Sequence, residues 1–359
     1  MSGALINLVA KGVQNAFLDI NSIKSSLFRT RFSRISNFSQ APAQLPVVGK
    51  IAPGGRSSIE ILKKGDVING MWIETADAYN TLIGTTFELY IGGKLIDSQT
   101  VDYSADIWQV YLAENSAKSS AVNNATSASD STFYPFHFFF CDNKQFLPLV
   151  NLQYQEVEII VKWGSVVSAS TDLKCYGNFV YLDTTEREAF AQKTMDMMIT
   201  QVQKIESTHS ESFDISSLNH PIKTLFWGYQ SKSDDTVVDY LTFDGAKIQL
   251  NGTDLMPFMT PTYYHTIQGY YGTTNALISF VSTENCPFYT RYYMYSFATD
   301  SSEFNNRGTC NFSRLDSAIL RINNLQKASG RTSDNINIYA LGFNVLRFQS
   351  GLAGILFSN

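Results

Sequence analysis

Short runs of β-branched and aromatic residues, each closed by Gly, Asn, Asp or Ser, recur along almost the whole chain. Runs of this kind predict β-strands. Residues 87–91 alternate in polarity, end at Gly92-Gly93 and return through residues 94–97, which predicts a β-hairpin. A doubly wound parallel sheet requires helices between its strands, so this array argues against that fold and favours a β-sandwich of the jelly-roll kind.

Further strands are predicted wherever such runs recur. They lie at residues 136–141, 154–163, 175–182, 221–229, 240–250, 291–298, 317–323 and 335–348. The run 136–141, dominated by Phe, is typical of a strand that is buried on both faces. The run 240–250 leads into Asn251-Gly252, a dipeptide that favours a hairpin turn.

One segment near the middle of the chain departs from the strand pattern. Residues 184–205 contain neither Gly nor Pro and are rich in Glu, Ala, Gln, Lys and Met. Thr185 and Glu188 have the spacing of a capping box, and Ala191 and Met195 begin an apolar helical face. The sequence therefore predicts a helix over the whole of residues 184–205.

The two halves of the chain show a similar order of features. The first hairpin turn, at Gly92, and the second, at Asn251, are 159 residues apart. The aromatic runs centred on Phe138 and Met294 are 156 residues apart, and the strands that follow them are separated by 163 residues. These similar offsets suggest that one β-domain is present twice.

Charge and composition restrict the classes of function. The chain has 359 residues with 27 Lys and Arg against 32 Asp and Glu, a net charge of −5, which argues against a nucleic-acid coat built on phosphate neutralisation. Hydrophobic residues make up 44 %, enough for a large core, and this excludes a disordered chain. Only 16 % of residues are charged, against about 25 % in an average domain. Like-charge repulsion keeps monomers apart, so this composition predicts a protein that assembles.

Five blocks of sequence carry a resemblance to a known family. They are residues 91–97 (IGGKLID), 138–157 (FFFCDNKQFLPLVNLQYQEV), 218–227 (LNHPIKTLFW), 308–316 (GTCNFSRLD) and 339–359 (YALGFNVLRFQSGLAGILFSN). In this order they resemble stretches of the major capsid proteins of large eukaryotic (nucleocytoplasmic) DNA viruses. Residues 3–38 are also similar to the N-terminal arm of that family.

The resemblance implies a structural virion protein with an all-β double jelly-roll fold. Two tandem eight-stranded antiparallel β-sandwiches would be joined by a short helical linker. A homotrimer would form a pseudo-hexagonal capsomer that tiles an icosahedral capsid, assembled in the host cytoplasm. Its partners would be neighbouring capsomers, penton proteins and minor capsid (cement) proteins. The chain is short for the family, and the stretches after Asp97 and Asn251 are brief, which suggests a flatter outer surface.

The same resemblance divides the chain into three parts. We expect an N-terminal arm at residues 1–25, a first jelly-roll at 26–205 that ends in the linker helix, and a second jelly-roll with a C-terminal tail at 206–359. Residues 3–17 form an amphipathic segment that contacts an internal membrane or packs as a simple arm. Residues 28–34 form a strand or face a membrane or cement protein. No apolar run is long enough for a transmembrane helix, and no export signal is evident.

No residue is predicted to be catalytic, to bind a cofactor or to ligate a metal. The four histidines have no metal-ligand spacing, and the four cysteines have neither zinc nor redox spacing, so free buried thiols are expected. The residues concerned are His137, His209, His220, His265, Cys141, Cys175, Cys286 and Cys310. We expect no enzyme and no direct nucleic-acid binding. Two alternatives stay open: a minor vertex or spike capsid protein, and a carbohydrate-binding or carbohydrate-cleaving β-sandwich with two carboxylates across a groove.

Overall fold

The computed structural model describes most of the chain after residue 36. The described residues are 37–75, 82–115, 132–141, 145–168, 173–229, 241–274, 292–326 and 335–357, together with Val13 and Lys118. The chain divides into two compact units, Met1–Asn37 and Phe38–Asn359. The expectations for the arm (1–25), the amphipathic segment and the strand at 28–34 lie outside the described residues, apart from Val13.

Two antiparallel sheets form the first barrel. Its strands are β1 (Phe38–Leu45), β2 (Val47–Gly49), β3 (Arg56–Glu60), β4 (Val67–Thr75), β5 (Thr86–Ile91), β6 (Lys94–Thr100), β7 (Thr132–Pro135), β8 (Leu147–Pro148), β9 (Val157–Lys162) and β10 (Leu173–Leu182). One sheet has the order β1-β10-β4-β7, with β8 on β4, and the other has the order β2-β3-β9-β5-β6. Without the short β2 and β8, eight principal strands remain.

The second barrel repeats this order. Its strands are β11 (Met195–Ser207), β12 (Ser212–Asp214), β13 (Pro221–Tyr229), β14 (Gly245–Leu250), β15 (Thr253–Asp254), β16 (Tyr292–Ser296), β17 (Cys310–Asn311), β18 (Ala318–Asn323), β19 (Ile336–Gln349) and β20 (Leu352–Ile355). The sheets are β11-β19-β13-β16 and β12-β18-β14-β15, with β17 on β13 and β20 on β19. In each barrel, principal strands one, eight, three and six form one sheet and strands two, seven, four and five form the other. The predicted all-β double jelly-roll is confirmed.

Three helices connect the strands. They are α1 (Tyr103–Leu112, a π-helix), α2 (Thr184–Gln192) and α3, a π-helical turn (Tyr263–Ile267) that continues as α-helix (Gln268–Gly272). Two single 3₁₀ turns lie at Leu149–Asn151 and Phe312–Arg314. Among the described residues, no helix is long and apolar enough to cross a membrane.

Both predicted hairpins are confirmed. Strand β5 pairs with β6 across Gly92-Gly93, and β14 pairs with β15 across Asn251-Gly252. All four turn residues have positive φ, between 48° and 77°. Two-residue turns of this hand match the twist of the flanking strands, and Gly or Asn accepts such a φ with little strain.

The helix predicted over residues 184–205 is too long. It ends at Gln192, and the remainder belongs to β11, which pairs with β19 from Met195 to Ser207. The ladder to β19 overrides local helix propensity, which is a weak determinant when a long strand partner is present. The capping box is also wrong, because Asp183 is the N-cap and makes no side-chain cap hydrogen bond.

The aromatic run at residues 136–141 is not a strand. Strand β7 ends at Pro135, and the run turns, with the Cys141 N–H donating to the Phe138 carbonyl. The rings of this run enter the core of the first barrel, so its continuous apolar character reflects burial rather than a β-ladder. Aligning Phe138 with Met294 was therefore wrong, because Met294 lies in β16, the counterpart of β7.

The domain limits remain a proposal, which the register of β11 refines. We propose that the second barrel starts at Met195 rather than at residue 206, because β11 is paired along its whole length within the sheet of that barrel. Helix α2 would then be the linker, and the first barrel would end at Leu182 with β10.

Candidate assembly surfaces

The two barrels share part of one apolar core. Ile199, Leu346, Phe348 and Ala353 belong to the second barrel but are buried in the core cluster of the first. Ile199 lies on β11, and the other three lie on β19 and β20, which therefore form the second barrel's side of a seam. A dry contact of this kind fixes the barrels against each other by apolar burial.

Asp97, at the end of the IGGKLID block, joins the barrels through hydrogen bonds. One carboxylate oxygen accepts from the backbone N–H groups of Ser98 (3.0 Å) and Val202 (2.9 Å), and the other accepts from Gln99 Nε2 (2.8 Å). Because Val202 lies on β11, the first barrel's carboxylate holds the second barrel's backbone. Burial raises the Asp97 pKa to about 7, although all three hydrogen bonds lower it.

Further hydrogen bonds cross the seam from the segment between β7 and β9. Gln145 Nε2 donates to the Met198 carbonyl at 2.7 Å, and the Ala353 N–H donates to Gln155 Oε1 at 2.6 Å. The Tyr154 N–H donates to the Gly351 carbonyl at 3.2 Å. Buried polar groups that all find partners in this way specify one arrangement of the barrels.

Helix α1 of the first barrel packs on the sheet of the second. Its apolar residues form a buried cluster with Val202, Phe226, Tyr292, Met294, Tyr339 and Leu341. The Tyr111 hydroxyl donates to the Tyr292 carbonyl at 2.7 Å, and the hydroxyls of Thr100 and Tyr339 are also 2.7 Å apart. The contact therefore combines aromatic burial with satisfied hydroxyl groups.

An open groove of about 650 Å³ lies on the second barrel, beside the end of the chain. Its lining includes His220, Ser313, Arg314, Asn344 and Phe357. The His220 N–H donates to Ser313 Oγ at 2.8 Å, and Asn344 Nδ2 donates to the Phe357 carbonyl at 3.0 Å. Three segments distant in sequence therefore meet at this groove.

The histidines occupy structural positions in the described residues. His137 is buried; its Nε2 lies 2.8 Å from Ser104 Oγ and its ring stacks on Trp108 at 4.0 Å. Burial lowers the His137 pKa to about 3, which keeps the ring neutral. His220 has a left-handed backbone (φ 69°), and its ring lies 3.3 Å from the Asn344 amide. His265 contacts the neighbouring Thr266 hydroxyl at 3.3 Å.

Groups of residues that could support chemistry are sparse in the described part of the chain. No cluster of three or more His, Cys, Asp or Glu residues that could hold a metal is found there. Of the four cavities that these residues line, one contains a carboxylate, Glu303, and none contains two. Cys175 is buried, which raises its thiol pKa to about 12, and Cys286 lies outside the described residues.

The five blocks that carry the resemblance contribute to the seam and the groove. Block 91–97 supplies Asp97, block 138–157 supplies Gln145, block 218–227 supplies His220, block 308–316 supplies Ser313 and block 339–359 supplies Asn344. The sequence analysis found the blocks but not this convergence. The available signal was an Asp at the end of an apolar strand, where burial needs a partner.

Two family profiles match the chain. That of the "Large eukaryotic DNA virus major capsid protein" matches residues 186–354, and that of the "Major capsid protein N-terminus" matches residues 26–203. Among curated relatives, the major capsid protein of Pyramimonas orientalis virus is 32 % identical over 404 aligned positions that span both chains completely. That of Paramecium bursaria Chlorella virus 1 is 27 % identical over 452 positions, again across both chains.

Solved structures share the fold. A quasi-atomic model of the PBCV-1 virus capsid matches with a TM-score of 0.79 and 23 % identity, covering 93 % of this chain and 100 % of that one. The Faustovirus major capsid protein matches with a TM-score of 0.70 and 8 % identity, covering 94 % and 96 %. Together with the relatives in sequence, these matches establish that the chain belongs to the major capsid proteins of large eukaryotic DNA viruses, structural virion components that assemble with their neighbours into capsid lattices.

Proposed function

We propose that this chain is the main shell subunit and forms homotrimeric, pseudo-hexagonal capsomers that tile an icosahedral capsid. The observation that carries the proposal is the repetition of one strand order in two barrels of a single chain. Each chain then supplies two similar blocks, and three chains supply six. Six similar blocks in a ring fit a hexagonal lattice with contacts on every side, and closed symmetry ends the growth of each capsomer.

The shared core supports this role. Because residues of the second barrel are buried in the core of the first, the two blocks act as one rigid pair rather than as two tethered domains. A shell subunit needs such rigidity, since flexible pairs would have to lose conformational entropy each time a lattice contact forms.

The remaining assignments belong to the same proposal. The neighbours are other capsomers, penton proteins and minor capsid proteins, and assembly takes place in the host cytoplasm. We further propose that the subunit is not an enzyme, needs no cofactor and does not bind nucleic acid directly, which fits its net charge of −5. The N-terminal segment at residues 3–17 would be the part that reaches an internal membrane.

The oligomeric state tests the proposal directly. Light scattering coupled to gel filtration should give a mass three times the 40.2 kDa of one chain. A stable monomer under salt conditions that support assembly would contradict the trimer. Counting chains per purified particle then separates the main shell role, which predicts the most abundant capsid chain, from a vertex or spike role.

A further inference from the structure

The repeat within the chain extends to two helices. Helices α1 and α3 both lie between the fifth and sixth principal strands of their barrels. Their sequences, YSADIWQVYL from residue 103 and YYHTIQGYYG from residue 263, align without a gap. The alignment pairs Tyr103 with Tyr263, Ile107 with Ile267, Val110 with Tyr270 and Tyr111 with Tyr271.

The two helices differ sharply in exposure. On α1, Ile107, Val110 and Tyr111 are at most 2 % exposed, because the second barrel covers them. Their counterparts on α3, here called the helix key, are Ile267, Tyr270 and Tyr271, which are 41 %, 73 % and 76 % exposed. Such a group of large apolar side chains on a surface marks an interaction site.

The surface that covers α1 is the outward face of the β11-β19-β13-β16 sheet. In this sheet Phe226 pairs opposite both Tyr339 and Met294, and Tyr292 follows on β16 opposite Gly228. All four large side chains are at most 1 % exposed. The Tyr111 ring lies 5.7 Å from the Phe226 ring.

The first barrel has a matching sheet face that no described element of its own chain covers in this way. Trp72 pairs opposite both Tyr176 and Pro135, and Glu74 pairs opposite Phe133. By register, Trp72 corresponds to Phe226, Tyr176 to Tyr339 and Phe133 to Tyr292. We call Trp72, Phe133 and Tyr176 the sheet socket.

The side chains of the sheet socket point away from the barrel core. Their strand neighbours Ile73, Tyr134 and Cys175 are core residues, and successive side chains of a strand point to opposite faces. The Trp72 and Tyr176 rings stack at 5.7 Å, and Phe133 is 39 % exposed. The socket is therefore an aromatic platform with one open edge.

We propose that the helix key of one copy docks on the sheet socket of a second copy, repeating between chains the contact that α1 makes with the second barrel within a chain. The inference rests on the proposed trimer and names the surfaces that hold it together. Within a chain, the helix of one barrel covers the sheet of the next barrel. A repeat of this contact by α3 requires a first barrel that follows the second, and another copy supplies it.

This pairing is heterologous, since a helix on one copy meets a sheet on the next. Heterologous contacts close into a ring when the rotation between copies allows it. Both surfaces are rich in Tyr, Trp and Phe, which supply large contact areas at low conformational cost and are typical of interface centres. The expected contact includes a hydrogen bond from the Tyr271 hydroxyl, in analogy to that of Tyr111.

A double variant of the helix key tests the proposal in the full-length protein. Tyr270→Ser with Tyr271→Ser should lower the mass measured by light scattering threefold, from three chains to one, with an unchanged circular dichroism spectrum. The matched control is Tyr154→Ser, which removes an equally exposed Tyr (76 %) outside both surfaces and should leave the trimer intact. A trimer that survives the double variant, or a control that dissociates equally, overturns the pairing.

Mixing experiments test the direction of the contact. The socket variant Phe133→Thr with Tyr176→Thr keeps strand-forming residues and should also be monomeric. A mixture of key and socket variants retains one intact helix and one intact socket between two chains, so it should form a species of two chains that neither variant forms alone. Absence of this species contradicts the pairing. If the wild-type chain itself is a monomer, the proposed function fails; if it is a trimer that the variants leave intact, only the pairing fails.

Discussion

At the scale of single residues, Asp97 and His137 show how burial near the seam is balanced. The Asp97 pKa rises from 3.8 to about 7 because burial disfavours the charged carboxylate, and the His137 pKa falls from 6.5 to about 3 because burial disfavours the charged ring. Neither shift can be predicted from sequence. Residues 91–97 predicted a hairpin, but not that its last residue would meet β11, since that contact depends on a partner 105 residues away.

The two shifts give opposite dependences of stability on pH. The folded chain keeps the Asp97 proton up to about pH 7 whereas the unfolded chain releases it near 3.8, so this group makes stability fall as pH rises between those values. The folded chain keeps His137 neutral down to about pH 3 whereas the unfolded chain protonates it near 6.5, so stability falls as pH drops through that window.

The variant Asp97→Asn should isolate the first effect. It removes the titration, so the melting temperature of the variant relative to wild type should rise progressively from pH 4 to pH 7, by an amount equivalent to at most about 4 kcal/mol. The loss of the Gln99 hydrogen bond adds a cost that does not depend on pH. Thermal melts at several pH values check this, with Asp254→Asn on the exposed hairpin as control. Parallel pH profiles for Asp97→Asn and wild type would contradict the assignment.

At the scale of elements, sequence patterns located strands and turns better than helix ends. Asn251-Gly252 predicted its hairpin because the positive φ values of that turn are a local property. The extent of α2 was wrong because Met195 and the residues after it satisfy helix periodicity locally, while the ladder to β19 is non-local. Non-local pairing also places Phe348, near the end of β19, in the core of the other barrel.

Phe348 should therefore contribute to both barrels. Truncating it in Phe348→Ala leaves a cavity at the seam and should lower the free energy of unfolding by about 3–5 kcal/mol. Its neighbour Gln349 is exposed on the same strand, so Gln349→Ala should change the same quantity by less than about 0.5 kcal/mol. Denaturant titrations of the two variants check the difference. Equal midpoints for both variants would mean that β19 does not hold the seam.

At the scale of the whole molecule, the repeated order of features predicted the duplication, and the structure shows it as the same strand order in both barrels. The sequence offsets of 159 and 163 are close to those of corresponding strands, such as Thr86 and Gly245, which are 159 residues apart. The offset based on the aromatic run failed because buried aromatic residues need not be a strand. The complementarity of key and socket could not be inferred from either half alone, since it requires knowing which faces the barrels cover.

An electron cryomicroscopy map of the purified oligomer, viewed along its symmetry axis, tests the arrangement of barrels most directly. The account predicts six barrel-shaped densities in one ring with three-fold symmetry, and α3 of each chain placed against the Trp72 face of the next. A ring with a different number of barrels, or three chains joined through other faces, would contradict it.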